Sequence, residues 1–430
     1  MTNAEIKKIN VAHINEEYFE FTHRSGLKVV VCPMKGYATS CAFLGPSYGS
    51  INNCFAVPNG EFVTVPEGIA HFLEHKLFES ENGQDVFELF AATGANANAF
   101  TSFEKTRYHF SGTQEFHRNL EILLNFVTSP YFSDENVKKE QGIITQEIKM
   151  YEDSPSWQVF FNALRAMYIK HPVRIDTAGE VESISKITKD LLYICYNSYY
   201  SSSNMTLAAT GEVKLEEVLS VVDELYDGKE PLPKPLENFI PKEPLHVNEQ
   251  IIRKSLPVSI PLVDIGFKEE SLTESENFLN RLKYDILLNM LFGETSELFK
   301  KCYDDGIVTK PFELQTVAGN GFVSLIIESE TKNPETLYQL VIDEVKKRQN
   351  GNLSQDDFQR FKKVALAEQI RLWEDPVDLA SKLSDLARLD FNLNDILELV
   401  INLKFEDVEK LLDNGLKEER SVLSVIDCLL

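Results

Sequence analysis

Long apolar runs are missing from this 430-residue chain, and the longest candidates are short pieces such as Phe322 to Ile327. A membrane-spanning helix needs about 18 or more such residues, so no membrane partner is expected. Positive charge is also scarce, with 43 Lys plus Arg against 67 Asp plus Glu and a formal net charge of −24. A sequence-independent grip on nucleic acid needs clustered Lys and Arg to displace counterions from phosphate. No nucleic-acid partner is expected either. The six cysteines, at 32, 41, 54, 195, 302 and 428, show no CxxC spacing, so they read as reduced, mostly buried thiols. The first residues, MTNAEIKKINVAHINEEYFEF, are too polar for a signal peptide, and Glu5, Glu16 and Glu17 are unlike a transit peptide. Together these features predict a cytoplasmic protein.

What is present is a hydrophobic fraction of 43% and enough chain for two or three domains with full cores. The clearest seam is Asp227 to Pro244, which sets prolines 231, 233, 235, 241 and 244 among charged residues. It reads as a linker, 228–245, between a domain over 1–227 and another over 246–430. The first opens with strand-like Leu27 to Cys32 and Thr39 to Leu44 and ends with Met205 to Thr210. The second opens with Ser259 to Phe267 and closes with Ser421 to Ile426. Between those ends the pattern is mostly helical, as in Val137 to Glu152 and Phe358 to Trp373. The expected class is α+β, with each domain a mixed, largely antiparallel sheet packed against helices.

An offset of 222 sets Glu147-Ile-Lys-Met-Tyr-Glu-Asp153 over Gln369-Ile-Arg-Leu-Trp-Glu-Asp375, and a proline follows in each copy, Pro155 and Pro376. The offset is near half the chain and the linker falls between the copies, which points to an ancient duplication into two domains of one fold. The mismatch is informative: Glu147 in the first copy is Gln369 in the second.

Residues 66 to 80 read PEGIAHFLEHKLFES, and within them His71, Glu74 and His75 form H-x-x-E-H. On a helix, His75 lies about 40° from His71 and one turn away, so two imidazoles can reach one zinc ion with a carboxylate beside the open position. A third ligand must come from elsewhere. Glu147 is a candidate, because it sits on another predicted helix at the position the second copy has lost. Zinc would polarise a scissile carbonyl and lower the pKa of water toward about 7. Glu74 would take that water's proton and pass it to the leaving amine. The same histidines are also what an ordinary amphipathic helix with half-buried imidazoles would show.

H-x-x-E-H is the inverted zinc motif, and GIAHFLEHKLFE followed by EQGIITQEIKMYEDSP resembles the pitrilysin/insulinase family. Within that family the chain resembles the small two-domain bacterial branch related to mitochondrial processing peptidase. The resemblance implies a zinc endopeptidase with His71, His75 and Glu147 as zinc ligands and Glu74 as general base. It further implies that Glu140 supports the ligands, and that Gly94 to Thr101 is an edge strand where Asn98 and Ala99 bind a peptide substrate added as an extra strand. HPVRIDTAG, from His171 to Gly179, resembles a loop of the same branch and is assigned a positioning role.

One departure stands out. Many members carry an Arg and a Tyr around a glycine in the second domain, which bind the substrate carbonyl. Aligning that glycine with Gly306 puts Cys302 and Thr309 in their places, with Lys300, Lys301 and Tyr303 nearby. Neither Cys302 nor Thr309 can do that work. The expectation is therefore a heterodimer in which a homologous subunit supplies the Arg/Tyr pair and four domains enclose the cleavage chamber, a homodimer being the other arrangement. The competing function is a non-catalytic structural or peptide-binding subunit.

Overall fold

The computed structural model describes residues 5–57, 60–81, 83–226 and 237–429, so residues 228–236 of the expected linker lie outside the described residues. The fold is α+β, and contacts divide the chain into two compact units. Unit 1 gathers Met1–Thr145, Thr177–Phe239 and Glu368–Leu397, and unit 2 gathers Gln146–Asp176, Ile240–Ala367 and Glu398–Leu430. Each unit thus includes a stretch from the opposite side of the proline-rich segment. No helix among the described residues is long and apolar enough to cross a membrane.

Unit 1 is built on β1 (Lys7–Val11), β2 (Glu16–Thr22), β3 (Lys28–Pro33), β4 (Ser40–Pro46), β7 (Asn96–Thr101), β8 (Thr106–Gly112) and β9 (Met205–Gly211), with a small ribbon of β5 (Cys54–Ala56) and β6 (Phe62–Thr64). The large sheet runs β1-β2-β3-β9-β4-β8-β7, which leaves β7 at an edge. Only β3 and β9 pair in parallel among these neighbours. Every residue of β4 and β9 is buried, as strands covered on both faces require. Its helices include α1 (Ile69–Leu77), α2 (Val86–Ala92), α3 (Phe116–Val127) and α4 (Asp134–Glu152), the last running on into the residues of unit 2.

Unit 2 holds α5 (Pro155–Met167), β10 (Ile251–Leu256), β11 (Leu262–Lys268), β12 (Glu313–Gly319), β13 (Phe322–Glu330) and β14 (Ser421–Cys428). Its sheet order is β10-β14-β11-β13-β12. The first pair is parallel and the other three are antiparallel. That pattern repeats β3-β9-β4-β8-β7 strand for strand, the structural counterpart of the sequence repeat. One face of this sheet carries a core that includes Phe267, Leu287, Leu325, Val341 and Leu423.

The two prolines after the repeated heptad do more than stop a helix. Pro155 opens α5 and Pro376 opens the helix Pro376–Arg388, where a missing N–H costs nothing. The helix Pro376–Arg388 packs over β9, β4 and β3 in unit 1, and α5 packs over β14, β11 and β10 in unit 2. Eight strands escape the sequence reading. β1 and β2 precede Leu27, β10 precedes Ser259, and β5, β6, β8, β12 and β13 fall within stretches that read as mostly helical. β10 alternates exposed and half-buried residues, Ile251 to Ser255, and as a charged edge strand it blends into the polar approach from the linker.

Candidate metal centre

Helix α1 is short and almost wholly buried, with His75 its most accessible residue, so its direction is set by packing all round rather than by one apolar stripe. Its start is fixed by Gly68, whose φ of +82° suits glycine. A Cβ there would meet the Ala178 carbonyl oxygen at 2.3 Å. A Cβ on Gly179, also left-handed, would meet the Glu67 carbonyl oxygen at 2.6 Å, and the Ser183 hydroxyl donates to that same carbonyl at 2.9 Å. The turn 177–179 is thereby a socket for the start of α1, a positioning role for the end of the HPVRIDTAG segment.

His71 and His75 stand one turn apart with ring centroids 4.6 Å from each other. Glu147 reaches them from α4, and one ligand atom from each of the three lies within 4.8 Å of the others. Burial, then the neighbouring His75, push the His71 imidazole down to about 3, so it stays neutral with a lone pair to offer. His75 Nδ1 is 3.1 Å from Glu140 Oε1. A carboxylate can only accept, which puts the proton on Nδ1 and leaves Nε2 as the donor atom. Two imidazoles and one carboxylate are a donor set that suits zinc.

Glu140 is 5% exposed rather than solvated. Its other oxygen lies 3.7 Å from the ammonium of Lys76, which is itself fully buried and paired with Glu79 at 2.6 Å. Glu74, also buried, accepts a hydrogen bond from the Thr101 hydroxyl at 2.6 Å. Thr101 ends β7, the edge strand that carries Asn98 and Ala99. The Asn98 side-chain oxygen accepts from the Ala99 N–H at 2.8 Å. Tyr151 donates to Glu147 at 2.8 Å and stacks on Trp157 at 4.3 Å, and the Trp157 indole N–H donates to Asp176.

Sequence reasoning assigns Thr101, Tyr151 and Lys76 no role of their own. Tyr151 carries a signal, since it follows Glu147 at i+4 on a helix. Thr101 and Lys76 carry none that a single sequence shows. In unit 2, Cys302 is fully buried in the core, while Tyr303 is 55% exposed and Thr309 is exposed. Gly306, at φ +68°, follows the helix Glu297–Asp304.

Two sheets of one topology and a His/His/Glu group beside an edge strand define a duplicated α+β protein with a centre of metallopeptidase type. The profile described as insulinase (peptidase family M16) matches residues 64–180. The one described as peptidase M16 inactive domain matches residues 186–364. A protein of Bacillus subtilis named as an uncharacterised zinc protease, YmfH, is 38% identical over 96% of this chain and 97% of its own length. The solved structure of an M16-like peptidase from Alicyclobacillus acidocaldarius superposes with a TM-score of 0.91 at 31% identity, covering 99% of each chain. A mitochondrial-processing peptidase beta subunit of Arabidopsis thaliana is 25% identical over 49% of this chain and 40% of its own. The chain belongs to peptidase family M16, in its small bacterial branch.

Proposed function

We propose that this protein is a cytoplasmic zinc endopeptidase that hydrolyses short or unstructured peptides. The observation that carries the reading is the convergence of His71, His75 and Glu147 within 4.8 Å, with Glu74 alongside and held by Thr101 of the edge strand. When bound, zinc supplies Lewis acidity toward the scissile carbonyl and toward water. His71, His75 and Glu147 hold it, and Glu140 fixes the His75 ring by accepting from Nδ1. Tyr151 sets the orientation of Glu147. Glu74 is the base: its carboxylate takes a proton from the attacking water and returns it to the departing amine, with the Thr101 hydroxyl keeping it aimed. Asn98 and Ala99 on β7 receive the peptide backbone as an added strand, which favours extended chains over folded ones.

The buried Cys302 and the exposed Thr309 support a division of labour. This chain supplies the zinc ligands, and a homologous subunit supplies the Arg/Tyr pair that binds the carbonyl in a shared closed chamber. A second reading, a non-catalytic peptide-binding subunit, draws on the match of residues 186–364 to an inactive domain. The deciding experiment measures zinc content and hydrolysis of a quenched unstructured peptide by the purified chain, alone and with a co-expressed homologue carrying that pair. One zinc per chain, with activity that needs the partner and disappears in Glu74→Gln, is the expected result. Activity from the chain alone would remove the partner, and absence of zinc and turnover in both preparations would leave the non-catalytic subunit.

A further inference from the structure

The repeated topology lets one row of side chains be followed across both sheets. In unit 1 the fourth residue of β9, Ala208, faces Phe43, which faces His109, which faces Asn98 on the edge strand. In unit 2 the fourth residue of β14, Ser424, faces Asp264, then Glu328, then Glu313. Both rows lie on the helix-covered face. Phe43 clusters with Ala380 of the helix Pro376–Arg388, and the Ser424 hydroxyl donates to the Val159 carbonyl of α5. The unit 1 row is an amide, an imidazole and a phenyl ring, with Phe43 and His109 stacked at 4.4 Å. The unit 2 row is three carboxylates.

Like charges directly opposite one another on a sheet are destabilising, and this row has little to offset them. Glu330, two residues along β13, adds a fourth carboxylate. Lys310 is the cation paired with the group among the described residues, 3.2 Å from Glu330 and 3.6 Å from Glu313. Asp264 is fully buried, and neither of its oxygens has a hydrogen-bond partner among the described residues. Burial, then Glu328 and Glu313, hold its pKa well above the usual carboxylate range. Burial, then Glu313, raise that of Glu328 as well. A metal ion is a poor match, because the His/Cys/Asp/Glu group close enough to hold one among the described residues is His71, His75 and Glu147.

We propose that the face of β11, β13 and β12 carrying Asp264, Glu328 and Glu313 binds a basic side chain, arginine or lysine, of the peptide substrate. A guanidinium presents a planar fork of donors that two neighbouring carboxylates can accept together, which makes arginine the better of the two. The half-buried Glu328 and the exposed Glu313 supply the negative charge that makes the contact, and Asp264 lies buried behind them with neither oxygen in a hydrogen bond among the described residues. The proposal rests on the peptidase reading above and narrows its substrate class to peptides with a cationic residue.

The test uses the full chain carrying Glu74→Gln and two labelled unstructured peptides that differ at one central residue, arginine or its neutral isostere citrulline. Fluorescence anisotropy should show the arginine peptide binding about tenfold tighter, the size of one charge-assisted pair. Adding Glu328→Gln and Glu313→Gln should abolish that preference and leave citrulline binding unchanged. Glu216→Gln with Glu419→Gln, the same charge change at exposed positions elsewhere, should leave the preference intact and so separate the site from the general pull of a −24 chain. Each variant is checked for an unchanged thermal midpoint or a higher one, since the glutamines relieve repulsion. Equal binding of the two peptides, a preference that survives the double substitution, or no binding of either would overturn the site. Hydrolysis of the citrulline peptide by the unsubstituted enzyme reports separately on the peptidase reading, which stands if cleavage occurs without discrimination.

Discussion

The helix Pro376–Arg388 and α5 occupy the same place on two sheets of the same topology, yet they hold on by different chemistry. α5 lies on sheet 2 through an apolar set in which Val159 packs with Leu256, Leu262 and Ile426. The helix on sheet 1 grips through charge. Asp385 meets the Lys105 ammonium, the Ser384 hydroxyl accepts from Arg107 Nε at 2.8 Å, and Arg388 lies 3.8 Å from Glu104. Lys105 sits in the turn between β7 and β8, so the charged grip is applied to the hairpin that carries the candidate peptide-binding edge. After duplication, one copy holds its helix by packing and by hydrogen bonds to uncharged groups of that helix, such as Ser424 to the Val159 carbonyl. The other adds ion pairs between its helix and the hairpin of the candidate edge strand. The same asymmetry appears in the candidate metal ligands, where Glu147 of one copy is Gln369 of the other.

The largest effect should come from erasing that asymmetry. Glu147→Gln copies the second repeat into the first and removes one of three ligands, so zinc should fall from about one per chain to near none, and peptidase activity with it. Gln369→Glu, the reverse exchange, should add no second zinc. Elemental analysis of the two dialysed proteins decides the matter, and a full zinc complement in Glu147→Gln would mean that the third ligand lies elsewhere.

A middle-sized effect should follow from breaking the charged grip. Asp385→Asn leaves Lys105 and Arg107 without their countercharge in a place where the Lys105 and Asp385 side chains are 19% and 24% exposed. The cost should be about 3 kcal/mol, the lower end of the range for stripping one partner from a largely buried pair. Adding Lys105→Met should recover a good part of it. Denaturant unfolding of the single and double variants measures both, and additive losses would show that the pair is not coupled.

The motif helix and the placing of Glu147 beside His71 and His75 are legible because each leaves a local trace. H-x-x-E-H has helical spacing, and the Glu147 mismatch stands out against an otherwise matching heptad. Glu140 was reachable through the resemblance and two turns of spacing from Glu147. The remainder depends on separations that no local pattern announces. The contact of Thr101 with Glu74 spans 27 residues and that of Lys105 with Asp385 spans 280. The helix Pro376–Arg388 reads as a good helix, but nothing in its own sequence says that it covers a sheet made by residues 28–211. The acidic row is hidden for the same reason, since Asp264, Glu313 and Glu328 become neighbours only when the strand register is known.

That row gives the smallest and most conditional effect. The Asp264 pKa in the folded chain stands well above the 3.8 of an ordinary aspartate, so above about pH 4 the unfolded chain is ionised while the folded chain still holds its proton. The unfolded state then binds fewer protons, and stability must fall as pH rises until the folded pKa is passed. Asp264→Asn has the same shape and no proton to lose. Below about pH 4 the two proteins should unfold alike, and by pH 8 the variant should be the more stable by about 1 kcal/mol, near the usual size for relieving a buried unpaired group. Urea midpoints at pH 4 and pH 8 measure the gap. A gap that does not widen with pH would mean that Asp264 is already compensated, and the contrast between its row and the neutral row of Phe43, His109 and Asn98 would lose its energetic meaning. A gap that closes again when an arginine peptide is added at pH 8 would instead show the missing countercharge arriving with the ligand.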